Sequence, residues 1–229
     1  ALGFSFELRF TSFAVEGSFE LRKRLLIRRF AMAVGISLIG LSLSGLGWYP
    51  KTIGTKAKEQ GVSERPGHIS PLSAIETVIG LTFSDIEHLS PEQLRAMTQE
   101  RGRVILIDAR EAEEFEVSRI PGAVRIDPEA TLHQFVDGAG RLSGKNVVVY
   151  CSIGARSSKL VRRVQDGLLQ GGASGVYNLS GGIFRWHNER RRLVDDFGRT
   201  DYVHKFDGYW GQLVLRQDRA VSGSAVTLQ

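Results

Sequence analysis

At 229 residues, 42% of them hydrophobic, the chain has room and apolar content for one domain of ordinary size plus a tail. The net charge of +5 lies entirely in residues 1–67, which hold ten Lys or Arg against five Asp or Glu, while residues 68–229 hold twenty of each. A phosphate-backbone binder needs its basic excess on the folded domain, which argues against a nucleic-acid partner. The single cysteine excludes an internal disulfide, and no Cys or His cluster has the spacing of a zinc site.

Residues 1–29 are basic and contain Ser-Phe-Glu-Leu-Arg twice, at Ser5–Arg9 and Ser18–Arg22. Two copies of a pentapeptide cannot build a solenoid, so this stretch is expected to be disordered or an overcalled start. Residues 30–50 carry no charge, are rich in Leu, Ile, Val and Gly, and follow the cluster Arg22, Lys23, Arg24, Arg28 and Arg29. That is long enough to span a bilayer, with Trp48 and Tyr49 where an interfacial aromatic belt falls. A signal anchor, a cleaved secretory signal and a buried soluble helix compete here. The glycines at 35, 40, 45 and 47 weaken the soluble helix and favour a transmembrane or signal segment. The basic cluster, kept inside, places the domain on the extracytoplasmic side, anchored or exported, although Lys51, Lys56 and Lys58 on the far side weaken that orientation. Residues 51–73 mix Lys, Gly, Ser, Glu and Pro without apolar periodicity and read as a linker.

The chain is expected to enter its folded domain near Pro71, the domain proper spanning residues 74–194. There, short apolar runs alternate with helix-like segments, the pattern of an α/β fold with a parallel sheet. Strands are expected at Val104–Ile107, Ala123–Ile126, Val147–Tyr150 and Val176–Leu179, with a further short strand around Phe83–Ile86. Ser90-Pro91-Glu92 starts a helix, with Ser as N-cap and Pro at the first helical position. Glu111–Glu116 forms a short turn of helix, Asp127-Pro128 opens another, and Arg156–Leu169 is the longest. Residues 195–229 form a C-terminal extension that packs on the domain or is partly disordered. His204, Tyr209 and Trp210 favour packing, since a free tail seldom carries so many aromatics.

The informative segment is Val147-Val148-Val149-Tyr150-Cys151-Ser152-Ile153-Gly154-Ala155-Arg156-Ser157, where a buried strand runs through a short loop into a helix. Amides of such a loop, with the unpaired N–H groups of the helix's first turn and the helix dipole, converge on one spot. A place of this kind favours a thiolate and cradles an anion bound to sulfur. Gly154 permits the backbone angles of a tight loop. Taken alone, the segment reads first as a strand finished by a small apolar residue, Cys151.

Further matches accompany it: Leu106-Ile107-Asp108-Ala109-Arg110 with Glu114-Phe115, Arg119-Ile120-Pro121-Gly122-Ala123, and Leu179-Ser180-Gly181-Gly182-Ile183-Phe184-Arg185-Trp186. Together, in order and spacing over roughly residues 85–190, these segments resemble the rhodanese-like, single-domain sulfurtransferase family. The resemblance implies a five-stranded parallel sheet flanked by helices, with Cys151 as the catalytic, sulfur-carrying residue. It implies an anion-binding loop made by the amides of Ser152, Ile153, Gly154, Ala155, Arg156 and Ser157. The expected chemistry passes sulfane sulfur from a small donor, thiosulfate or a persulfide, through a Cys151 persulfide to a thiol or protein acceptor, with no metal or organic cofactor.

Arg156 either pairs with a carboxylate or contacts substrate; Asp108 and Arg110 read as supporting residues that order nearby loops. Ser152 and Ile153 stand where rhodaneses specialised for thiosulfate often have basic residues, which leaves persulfides open as donors. The related cell-cycle phosphatases place five residues between Cys and Arg. Here the Arg comes one residue earlier, which sets a phosphatase last. The rival reading is a non-catalytic binding module of the same fold, at the membrane.

Overall fold

The computed structural model describes residues 70–100 and 102–223, which lie within one unit spanning Glu64–Gln229. The expected membrane segment at 30–50 lies outside the described residues. Among the described residues, no helix is long and apolar enough to cross a membrane.

The first helix, α1 (Pro71–Thr82), starts where its sequence can satisfy the open amides. The Ser70 hydroxyl accepts the Ser73 N–H at 3.1 Å, Pro71 occupies the first turn, and Leu72, Ile75 and Ile79 bury one stripe. The linker expected at 51–73 therefore ends sooner, because this capped turn already belongs to the domain. The strand expected at Phe83–Ile86 falls instead at β1 (Glu87–Leu89). Phe83 is still bound to the helix, its N–H donating to Ile79 O at 2.9 Å, so the apolar pair at 83 and 86 packs a helix exit. In α2 (Pro91–Met97) the Ser90 cap is reciprocated by Gln93, giving the capping box that the sequence half announces.

The remaining strands are β2 (Val104–Asp108), β3 (Val124–Arg125), β4 (Asn146–Tyr150) and β5 (Gly175–Leu179). With β1 they form one five-stranded sheet in the order β1-β5-β4-β2-β3, every pairing parallel. The central strand is β4, and Val147, Val148, Val149 and Tyr150 are fully buried, as suits an unbroken apolar run in the middle of a parallel sheet. The other helices are α3 (Ala112–Val117), α4 (Leu132–Ala139), α5 (Ala155–Gln170) and α6 (Gly182–Asn188). In α5, Leu160, Val161, Val164 and Leu168 supply a fully buried stripe at helical spacing. The helix expected to open at Asp127-Pro128 opens at Leu132 instead. Asp127 takes the Glu129 N–H at 2.7 Å in a tight turn, and Thr131 with Gln134 makes the actual capping box.

Residues 195–223 pack back on the domain. The antiparallel pair β6 (Leu193–Val194) and β7 (Arg199–Thr200) is followed by the parallel pair β8 (Val203–His204) and β9 (Ala220–Val221). Val203, Trp210 and Val214 are buried, and Asn188 ties the segment to α6 through the Leu213 carbonyl and the Leu215 amide, both at 2.8 Å.

One ion pair lies wholly inside this fold. Arg110 donates from Nε and Nη2 to the two Asp108 oxygens at 2.9 and 2.6 Å, and Nη2 also donates to Ser118 O, with both side chains fully buried. The pair fastens the end of β2 to the exit of α3. Its removal on one side leaves an uncompensated buried charge. Asp108→Ala is expected to lower stability by about 3–5 kcal/mol in urea denaturation of the domain.

Candidate functional site

Because β4 is central and parallel, its carboxyl end opens at the crevice where such sheets bind ligands. Cys151 is the first residue past that end, 1% exposed, and its Sγ accepts the Gly154 N–H at 3.2 Å. Gly154 has φ +102° and stands as the N-cap of α5; a Cβ there would press against Asn178 Nδ2 and Leu179 O. The loop is fastened from behind by Ser157 Oγ to Asn178 Oδ1 at 2.6 Å, by Asn178 Nδ2 to His88 Nδ1 at 3.1 Å, and by Ser158 Oγ to Gly154 O at 2.7 Å. The amides of Ile153, Ala155, Arg156 and Ser157 have no bonded partner among the described residues. They are the open donors expected of a loop that feeds a helix N-terminus.

A second glycine lets the two sides of the site close. The amides of Ile183 and Phe184, at the start of α6, donate to the carbonyls of Cys151 and Ser152 at 2.9 and 3.0 Å. A Cβ on Gly182, whose φ is +51°, would lie 2.2 Å from Cys151 O. The Gly181-Gly182 pair is thus a close backbone passage at the rim of the loop.

Arg156 is committed to a carboxylate. Its Nη1 and Nη2 donate to the two Glu114 oxygens at 2.7 and 2.8 Å, and Nη2 also donates to Ser152 Oγ at 2.9 Å. Ser152 Oγ in turn donates to Glu114 Oε1 at 2.8 Å. Burial pushes the Glu114 carboxyl up, but Arg156, then Arg110 and Ser152, outweigh it and hold its pKa down to about 2. Burial likewise works against the Arg156 charge, and Glu114, with a smaller contribution from Cys151, raises its pKa over that cost. Of the residues expected at the site, Cys151 to Ser157 come together in one loop. Asp108 and Arg110 stand behind it as a closed pair.

Glu114 belongs to the Glu114-Phe115 motif, which by itself assigns it no role. Its signal lies in Glu111-x-x-Glu114: the Glu114 side chain accepts the Glu111 amide at 3.1 Å, fixing it at the start of α3. His204 and Phe206, from the C-terminal extension, also reach the site. Burial lowers the pKa of His204, with Glu114 opposing the shift, and its Nδ1 accepts the Phe206 N–H at 3.0 Å. The Phe206 ring lies 4.8 Å from the Arg156 guanidinium carbon. Trp186 and Phe184 are packing residues, Trp186 donating from Nε1 to Arg192 O at 2.9 Å.

This strand, loop and helix, with its cysteine at the base, lies inside a family match. Residues 90–189 fit the model of the rhodanese-like domain. The chain carries a rhodanese-like domain. Among curated proteins, it is 31% identical over 122 residues to the "Adenylyltransferase and sulfurtransferase uba4" of Pyricularia oryzae, an alignment covering 45% of this chain and 25% of that protein. It is 35% identical over 105 residues to a tRNA uridine(34) hydroxylase of Corynebacterium urealyticum, covering 43% and 34%. The match thus spans a quarter to a third of the length of these relatives. Among solved structures, a thiosulfate sulfurtransferase from Pseudomonas aeruginosa aligns with a TM-score of 0.42 at 20% identity, over 55% of this chain and 23% of that one.

Two outcomes follow from this geometry. Gly182→Ala should break the Ile183 and Phe184 contacts to the loop and lower the unfolding temperature, read by thermal denaturation, because the intruding atom meets backbone. Glu114→Gln should cost about 3 kcal/mol at neutral pH by leaving Arg156 without its counter-charge. A carboxyl whose folded pKa is depressed contributes its full stability above the unfolded value and loses it as pH falls. The gap between wild type and Glu114→Gln in urea denaturation should therefore be constant above about pH 4.5 and shrink toward pH 2.

Proposed function

We propose that the protein is a sulfurtransferase or persulfide carrier with Cys151 as its nucleophile. The observation that carries this reading is the cysteine at the carboxyl end of β4, with Gly154 N–H on its sulfur and open amides around it. In the loading step the Cys151 thiolate attacks the sulfane sulfur of the donor. A new S–S bond forms to Cys151, the donor's bond to that sulfur breaks, and its electron pair leaves with sulfite, if the donor is thiosulfate, or with a thiolate, if it is a persulfide. The amides donate hydrogen bonds to the resulting anionic persulfide. In the second step a nucleophilic acceptor, a thiol or a protein group, attacks the outer sulfur, and the Cys151 thiolate is regenerated.

The charge balance of the site favours a persulfide donor. Arg156 is neutralised by Glu114 and Arg110 by Asp108, and Ser152 and Ile153 bring no cation, so among these residues the donor meets backbone dipoles rather than a free charge. A thiosulfate dianion gains less from such a cradle than from one with a free cation, whereas a singly charged or neutral persulfide loses little. The uncharged stretch of residues 30–50 supports a membrane attachment with the domain on the extracytoplasmic side, delivering sulfur there.

Intact mass separates this reading from a non-catalytic binding module. After incubation with cysteine persulfide and, separately, with thiosulfate, the protein should gain about 32 Da reversibly by thiol, faster with the persulfide. Cys151→Ser should gain nothing. A folded protein with a free thiol that takes no sulfur from either donor would place the binding module first.

A further inference from the structure

Among the described residues C-terminal to the matched domain, a short segment around β8 reaches the site. β8 packs against α3, the helix that carries Glu114, and against α6. It is anchored on its other edge, where Val203 and His204 pair with Ala220 and Val221 and the Lys205 N–H donates to Val221 O at 2.9 Å. Just past this strand the backbone turns sharply: Phe206 has φ +65°, a left-handed conformation that costs a bulky aromatic residue free energy. What holds it there is the buried His204, whose Nδ1 accepts the Phe206 N–H at 3.0 Å. The turn delivers the half-buried Phe206 ring to the Arg156 guanidinium, at 4.8 Å.

Arg156 needs such support. It lies in the first turn of α5, where the helix dipole disfavours a cation. Its in-plane donors Nη1 and Nη2 are taken up by Glu114 and Ser152. The guanidinium carbon lies over the Phe206 ring, and a cation so placed is attracted to it. Ser152 is the residue next to Cys151 and shares its hydroxyl between Glu114 and Arg156, so whatever fixes the guanidinium also fixes the first turn of the cradle.

We infer that Phe206, held by His204, is a positioning residue for sulfur loading at Cys151: it keeps Arg156 in the Glu114–Ser152 network and thereby keeps the loop aimed at the incoming sulfur. The inference deepens the sulfurtransferase reading and rests on it for its first readout.

The test uses the full chain and four variants. Phe206→Gly removes the ring while relieving the left-handed backbone, so the fold should be kept, with an unfolding temperature equal to wild type or higher. Loading from cysteine persulfide, followed by intact mass, should nevertheless slow about tenfold, between the worth of an exposed and of a desolvated cation–π contact. Phe206→Tyr keeps an aromatic face and should load at the wild-type rate. His204→Leu removes the acceptor and should slow loading as Phe206→Gly does, whereas His204→Asn, whose Oδ1 can take the Phe206 N–H, should restore it. If Phe206→Gly loads as fast as wild type, the inference is overturned. A wild-type protein that loads no sulfur overturns the sulfurtransferase reading alone. The positioning role is then read from the alkylation rate of Cys151, the only thiol in the chain, by iodoacetamide. That rate should fall in Phe206→Gly and recover in Phe206→Tyr, and equal rates in all three proteins would overturn the inference.

Discussion

The ion pair between Glu114 and Arg156 joins three parts of the molecule that the sheet alone would leave independent. Glu114 comes from α3, Arg156 from the first turn of α5, and Ser152, bonded to both, from the loop between Cys151 and Gly154. A carboxylate that is 2% exposed is tolerable only with its charge matched and its oxygens bonded, and here each Glu114 oxygen takes a guanidinium donor. The arrangement also decides the character of the site. Arg156, which the sequence leaves open to an anionic substrate, is occupied by Glu114, so the polarity of the loop is that of its backbone.

Two glycines make this polarity usable. Gly154, left-handed at the N-cap of α5, aims its amide at the Cys151 sulfur, and Gly182 lets the start of α6 bond directly to the carbonyls on the other side of the loop. The loop's carbonyls are thus used up on α6 while several of its amides stay open. That asymmetry gives the loop a net preference for negative charge without any charged side chain. Behind it, Ser157, Asn178 and His88 link the loop to β5 and β1, and through them to the sheet.

Legibility from the sequence varied with the range of the forces involved. The run Val147–Tyr150 was readable as a buried strand because a parallel strand covered on both faces has nowhere to place polar residues, and the Ser90 cap because a helix N-terminus is satisfied within three residues. The errors came where two local signals competed. Phe83 and Ile86 are apolar at a spacing that fits the end of a helix as well as a strand, and Asp127-Pro128 opens a turn as readily as a helix. At the site, the loop Cys151–Ser157 was legible as a unit. Glu114 was visible only as part of a motif, and neither His204 nor Phe206 had a pattern that tied it to a cysteine far earlier in the chain.

By itself, then, the sequence determined that the protein has an α/β domain with a rhodanese-like motif set, and that its one cysteine ends a buried strand ahead of a short, glycine-bearing loop. These follow from hydrophobic burial, backbone conformation and capping, which act over a few residues. Tertiary structure decided that Arg156 is held by Glu114, 42 residues earlier, rather than left free for an anion, and that the chain's last segment brings Phe206 onto the same guanidinium. Charge pairing and aromatic contact act through space between whichever segments the fold brings together. Their partners are chosen only once the sheet and helices are in place.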